Sequence, residues 1–425
     1  NYPGVFDGII VYASFPDVTS ATIFTLSDSR LLHRYFEHVV PGTFTKEEQR
    51  AVSGFGQWGS IPNMSVGARR IDPVYEDGLE LEDQGGEYVA RNATDQVGGA
   101  NPGPLPVSQR YDPVTNPTGA RATTYDHTVN VYGIDPDTGF AGRPLDNVGV
   151  QYGLAALNAG TITRAQFLDL NDRIGGFDAD ANHVPERHAA NARAGRAARQ
   201  TGRILNGGGG LATTPVIDYR SYTDDRVNGD IHMIVHQYTT RARLAEANGH
   251  ADNHVMEIGG RWGFTADEPD LKVLFDKMDR WLLQIQADTS NDPQAVKVVR
   301  AKPADLVDAC WDTRDEPPVT VNQPQAFENS GVCQELYPAF LTPRQVAGAP
   351  LANNVVKCQL KPVDSSGYGV TFTAEEQSRL QEMFSDGVCD WSKPGVYDGP
   401  YAGTWLSFGP SNVNRVDLSS PSDGL

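Results

Sequence analysis

The stretch TTPVIDYRSYTDD (213–225), RVNGDIHMIVHQYTTRARLAEANG (226–249) and HADNHVMEI (250–258) decides how this chain is read. It contains an apolar strand, an acidic turn, a histidine-bearing loop, a helix and a second apolar strand. Short continuous apolar runs of this kind, separated by a helical stretch, are the pattern of buried parallel strands. Four of the nine histidines lie here: His232, His236, His250 and His254. Ligands of open α/β sheets bind beyond the carboxyl ends of the strands, so an acid and an imidazole at such ends suit acid–base or nucleophilic hydrolysis. Asp225 and His232 are close enough to meet across one loop, with Asp224 as a second acid and His250 and His254 as alternative bases. The competing reading makes the aspartates turn formers and helix caps, and the histidines packing residues.

Working outward, DGIIVYASFPDV (7–18) reads as another buried strand, followed by a helical stretch around 23–36. Thr45 with Glu48, Thr163 with Gln166 and Thr373 with Glu376 have capping-box spacing and predict three helix starts. Residues 54–147 are rich in Gly, Pro, Asn and Asp. So long an irregular segment suggests a surface excursion such as a lid. Within it, TTYDHTVNVYGIDPDTG (123–139) alternates like a hairpin strand with a turn at 135–139. ERHAANARAGRAARQTGRIL (186–205) reads as an Ala/Arg-rich helix with a solvated face. A helix opening at Asp267 carries Leu271, Leu274, Phe275, Met278, Leu282 and Ile285 on one apolar face.

The chain of 425 residues has a net charge of -19. Nucleic acids and anionic membranes need clustered Lys and Arg, so the balance argues against both as partners. No apolar run is long enough to span a bilayer. The four cysteines, Cys310, Cys333, Cys358 and Cys389, all fall in the last third and match no zinc-ribbon spacing. Sequence-local disulfides, Cys310–Cys333 and Cys358–Cys389, are the expectation, and with them a secreted or periplasmic location.

Two further features bear on chemistry. No G-x-S-x-G elbow occurs, and Ser53, Ser65 and Ser407, though near glycines, do not sit between an apolar strand and a helix. Asp178, Asp180, Asn182, Val184 and Glu186 place oxygens at alternate positions, as a calcium loop does. His183 stands where such a loop wants Gly, and Ala189 where it wants Glu. The plainer reading is a polar turn; if a metal binds, the expectation is structural calcium. No organic cofactor is expected.

The strings NYPGVFDGIIVYASFPD (1–17), NVGVQYGLAALNAG (147–160), GGFDADANHVPER (175–187), IDYRSYTDD (217–225) with GDIH (229–232), and KCQLKPVD (357–364) with GVCDWSKPGV (387–396) cover most of the chain. Together they resemble a family of exported bacterial proteins with a domain of unknown function, similar to α/β hydrolases of the tannase and feruloyl-esterase type. The resemblance implies an α/β fold with a mostly parallel sheet, a large lid insertion and a disulfide-stapled C-terminal extension. The corresponding divisions are 1–53 and 206–289 for the core, 54–205 for the lid and 290–425 for the extension. It also implies a serine elbow shortly before residue 1, making this the C-terminal portion of a longer precursor with the upstream fragment as partner. The expected activity is hydrolysis of a small-molecule or polymeric ester, with an amide as the lesser option. The alternatives are a metal-dependent hydrolase using Asp224, Asp225, Asp230 and His232, and a non-catalytic binding or structural protein on the same scaffold.

Overall fold

The computed structural model describes residues 6–71, 107–109, 111–121, 123–260, 270–314 and 316–399. Nine strands occur among them: β1 (Ile9–Tyr12), β2 (Gly176–Phe177), β3 (His183–Val184), β4 (Val216–Arg220), β5 (His254–Ile258), β6 (Ala309–Asp312), β7 (Val319–Asn322), β8 (Leu360–Lys361) and β9 (Val388–Cys389). The chain forms two compact units. The first draws on Asn1–Pro16, Leu205–Asp225 and His232–Phe340, the second on Asp17–Ile204, Arg226–Ile231 and Leu341–Leu425.

The first unit is built on a five-stranded sheet in the order β1-β4-β5-β6-β7. β1, β4, β5 and β6 run parallel and β7 closes the edge antiparallel to β6. Every residue of β4 and β5 is buried, as expected of strands covered on both faces. The opening stretch therefore folds as read, two neighbouring parallel strands joined through the helix Val235–Asn248. Ile217, Tyr219 and Val255 pack with Leu274, Met278 and Trp281 of the helix Asp270–Ala287. Trp281 is fully buried and donates its indole N–H to the Val298 carbonyl at 2.8 Å. Phe275, expected on this buried face, is 53% exposed, and Trp281 takes the core position instead. Residues beyond 289 supply β6 and β7, so the sheet continues into the cysteine-bearing part of the chain.

The second unit is mainly helical. A helical run extends from Val18 to Val39, with an α-helical centre at Thr25–Arg34, and is capped by Asp17 accepting from the Ser20 amide. All three capping boxes form, opening the helices Lys46–Ser53, Arg164–Arg173 and Ala374–Met383. In the core, Arg344 pairs with Asp28, and Tyr152 donates to the same carboxylate at 2.7 Å. All three side chains are buried.

Three expectations need correction. Residues 126–132, read as a hairpin strand, form the helical turns Asp126–Thr128 and Val129–Tyr132. Local hydrogen bonds win: Thr123 Oγ1 accepts from the Asp126 amide, and Thr128 Oγ1 donates to the Thr124 carbonyl. The turn at 135–139 does form, closed by the Gly139 amide on the Asp135 carbonyl. The segment after Gly54 is not wholly irregular, because Ser60–Gly67 is helical; residues 72–106 of the expected lid lie outside the described residues. The Ala/Arg-rich helix is confined to Ala192–Gln200.

Both expected disulfides are present, Cys310–Cys333 in the first unit and Cys358–Cys389 in the second. No helix among the described residues is long and apolar enough to cross a membrane.

Candidate functional site at the carboxyl ends of the parallel strands

In the first unit, β1, β4 and β5 end on the same side of the sheet. β1 leads into Ala13, a non-glycine residue with φ of 48°, then Ser14 and Phe15. β5 leads into Gly259, whose φ of 81° turns the chain and whose amide bonds the Arg220 carbonyl at 2.7 Å. A Cβ at Gly259 would meet the Tyr337 hydroxyl at 2.3 Å, so glycine is required for space as well as conformation.

Arg220, the last residue of β4, organises this end of the sheet. Its guanidinium is fully buried and donates to the carbonyls of Ser14, His232 and Met233. One planar cation thereby ties the segment after β1 to the segment carrying the histidine, which suits the fork of donors that Arg presents. Thr223 adds a second tether, donating to the His232 carbonyl at 3.0 Å. Asp224 is buried and accepts from the Ile234 amide at 2.9 Å, just before the helix Val235–Asn248. A carboxylate there also favours the positive end of the helix. Asp225, the first choice from sequence, lies in an exposed turn.

The His232 ring is half-buried and sits 5.1 Å from the Phe15 ring; His236, a turn later and buried, lies 4.5 Å from the same ring. Tyr222 donates to the Pro338 carbonyl, and burial followed by the charges of Asp224 and Asp225 pushes its phenol well above the ordinary value. The structure therefore places a buried acid, an imidazole and a phenol on the loops above β1 and β4. Sequence reasoning passed over Arg220 and Phe15. The available signal was an arginine closing an otherwise apolar strand, since an arginine is seldom fully buried without a structural task.

The two alternative bases occupy the opposite end. His254 is the first residue of β5, and His250 lies in the turn before it, 3.6 Å from Asp252. Both are at the amino end of the strand, away from the carboxyl-end loops. Arg241 donates from Nε to His254 Nδ1 at 3.3 Å, and His254 Nε2 lies 3.3 Å from Asp218. Because a guanidinium only donates, Nδ1 is the acceptor and Nε2–H donates to Asp218. Both ring nitrogens are committed, which leaves His254 no lone pair for a substrate proton. Arg241 also holds Asp308 through two nitrogens. Burial pushes the Asp308 pKa up, but those bonds, Arg241's charge and the amides of Gln325 and Met256 hold it below the usual carboxylate range.

The expected calcium residues lie in the second unit, at the tip of the β2–β3 hairpin. Asp178 Oδ1 accepts from the amides of Asp180 and Asn182, both at 2.9 Å, and Oδ2 accepts from the Asn182 side chain. Asp180 pairs with Arg121 at 2.7 Å. Val184 belongs to β3, and Glu186 is exposed. Asp178 thus closes the turn and Asp180 pairs with an arginine. Asp230, a further metal candidate, pairs with Arg226. Among the described residues no group of three His, Cys, Asp or Glu side chains converges to hold a metal.

A model of the Tannase-like family of unknown function (DUF6351) matches residues 1–400. No curated protein and no solved structure matches the chain. Since that match covers nearly the whole sequence, with its parallel sheet and both disulfides, the chain belongs to this tannase-like family.

Proposed function

We propose that this chain supplies the acid and base of an ester hydrolase, with His232 as general base and Asp224 as the acid that orients it. Asp224 replaces Asp225 because it is buried and fixed by the Ile234 amide, and an orienting acid must be held in place. The observation that carries the reading is the Arg220 clamp on the Ser14, His232 and Met233 carbonyls. It ties the imidazole loop to the segment after β1 beyond the strand ends, where open α/β sheets bind ligands. In the first half-reaction His232 takes the proton of a serine hydroxyl as its oxygen attacks the ester carbonyl. The imidazolium then protonates the departing alkoxide, and water releases the acid by the same steps. The serine is assigned to an upstream segment of the same protein, following the tannase resemblance. Tannase-like membership supports an ester as substrate.

The test is hydrolysis of a panel of p-nitrophenyl and galloyl esters by the full protein, with fluorophosphonate labelling read by mass spectrometry. His232→Gln should lower kcat/KM by roughly 10²–10⁴-fold, the usual contribution of a general base. Asp224→Asn should lower it too, while Asp225→Asn should leave it nearly unchanged. Equal activity of wild type and His232→Gln would exclude this base. Absence of both turnover and labelling would remove the serine-hydrolase reading altogether.

A further inference from the structure

The loop that leads into His232 is held at its tip as well as at its base. Arg226–Ile231 packs with the second unit, and His232 follows it directly in the chain. Within that unit, Asn63 of the helix Ser60–Gly67 donates from Nδ2 to the Asn228 carbonyl at 3.0 Å and to the Gly229 carbonyl at 2.9 Å. Both hydrogens of one amide nitrogen are thereby engaged by two consecutive carbonyls.

Two glycines permit this approach. A Cβ at Gly59 would run into the Val227 carbonyl oxygen, and one at Gly229 would run into the backbone and hydroxyl of Ser60. Gly59 has an ordinary helical φ of -59°, which any residue adopts, so space alone asks for glycine there. Gly229 needs glycine for space and for its φ of 69°. The loop is also braced internally, because the Gly229 amide bonds the Arg226 carbonyl at 2.7 Å and Asp230 pairs with Arg226. Surface loops are mobile unless something fixes them. Here a glycine on each side brings two backbones close, and one side-chain amide bridges them.

We propose that Asn63 is a positioning residue for His232, acting through the loop tip that it holds. Its part in turnover rests on His232 being the general base. Arg220 and Thr223 fix the His232 carbonyl, which is one point of that residue. The direction of its Cα–Cβ bond depends also on the course of residues 229–231 as they enter it. Asn63 fixes that course from the Gly229 carbonyl, three residues upstream. A general base works only within hydrogen-bond reach of the proton it takes. A displacement of about 1 Å can cost about 10²-fold in rate. The Asn63 amide is engaged by the loop, so its effect belongs in kcat rather than in KM.

The experiment compares Asn63→Asp, Asn63→Gln and Gly59→Ala with wild type in the full protein. Three quantities are read: hydrogen exchange of residues 226–234, carbethoxylation of His232 by diethyl pyrocarbonate, and ester turnover. Aspartate has the shape of asparagine but, ionised, offers two carbonyls no proton. Asn63→Asp should speed both exchange in 226–234 and carbethoxylation of His232, while Val216–Arg220 exchanges as in wild type. It should lower kcat by about tenfold or more and leave KM little changed. Gly59→Ala should act in the same direction, and Asn63→Gln, which keeps the donors, should recover part of the loss. Near-UV circular dichroism checks that each variant folds. The proposal is overturned if folded Asn63→Asp leaves both loop readouts at wild-type rates. It is also overturned if His232→Gln lowers turnover while Asn63→Asp leaves kcat intact. Full activity of His232→Gln would remove the base assignment and with it the catalytic part of the proposal; exchange and carbethoxylation would then still decide whether Asn63 holds the His232 loop.

Discussion

His254 of the first unit and His188 of the second are both buried imidazoles surrounded by arginines, yet their polar atoms meet opposite fates. His254 has both ring nitrogens satisfied, by Arg241 and Asp218, and Arg241 is in turn neutralised by Asp308. His188 has neither nitrogen paired among the described residues, and the guanidiniums pressing on it include Arg143 and Arg187, which form no carboxylate pair there. Burial alone therefore says little about function. What separates the two is whether the donor and acceptor count closes among the described residues.

The comparison can be broken most forcefully at Arg241. Arg241→Met removes the counter-charge of the largely buried Asp308 and the donor to His254, and should cost about 3–5 kcal/mol in urea unfolding. A loss under about 1 kcal/mol would mean that the closed network contributes little. Next comes the paired substitution His254→Phe and His188→Phe. The first takes one hydrogen bond from each of Asp218 and Arg241, which keep Gln237 and Asp308, and should cost about 1–3 kcal/mol. The second removes two atoms that had no partner among the described residues and should be nearly neutral, within about 1 kcal/mol. Equal losses would erase the distinction.

A smaller effect is expected from pH. Burial, with the nearby cations, lowers His33 and His183 to about 4. Between the unfolded value of 6.5 and about 4, the unfolded chain binds protons that the folded chain does not. Stability is thus complete above that window and declines as pH falls through it. Urea midpoints at pH 7.5, 5.5 and 4.5 should show the decline, and His33→Gln should flatten it; a flat wild-type profile would contradict the burial of these rings. The smallest effect concerns the Asp178–Glu186 hairpin. Its carboxylates serve the turn and Arg121, so chelator or added calcium should leave Tm unchanged, and a calcium-dependent rise would support the metal-loop reading.

Legibility from sequence followed the range of the interactions involved. The capping boxes at Thr45, Thr163 and Thr373 close between residues three apart, so their chemistry is visible in the string itself. The disulfides, 23 and 31 residues apart, were reachable because only four cysteines compete for partners. The strands β1, β4 and β5 announced themselves as unbroken apolar runs. Residues 126–132 misled for the converse reason: their alternation matched a strand, while the Thr123 and Thr128 side chains favoured a turn.

By itself, then, the sequence determined the α/β class, the helix starts, the cysteine pairs and the acid–imidazole stretch to examine. Only the tertiary structure decided which end of the sheet each histidine occupies, that Asp224 is anchored while Asp225 faces solvent, and that Arg220 binds three distant carbonyls. It alone showed that His188 is buried with both ring nitrogens unpaired among the described residues. The physical reason is that hydrogen-bond satisfaction and desolvation depend on every group brought within a few ångströms, and most of those groups are far apart along the chain.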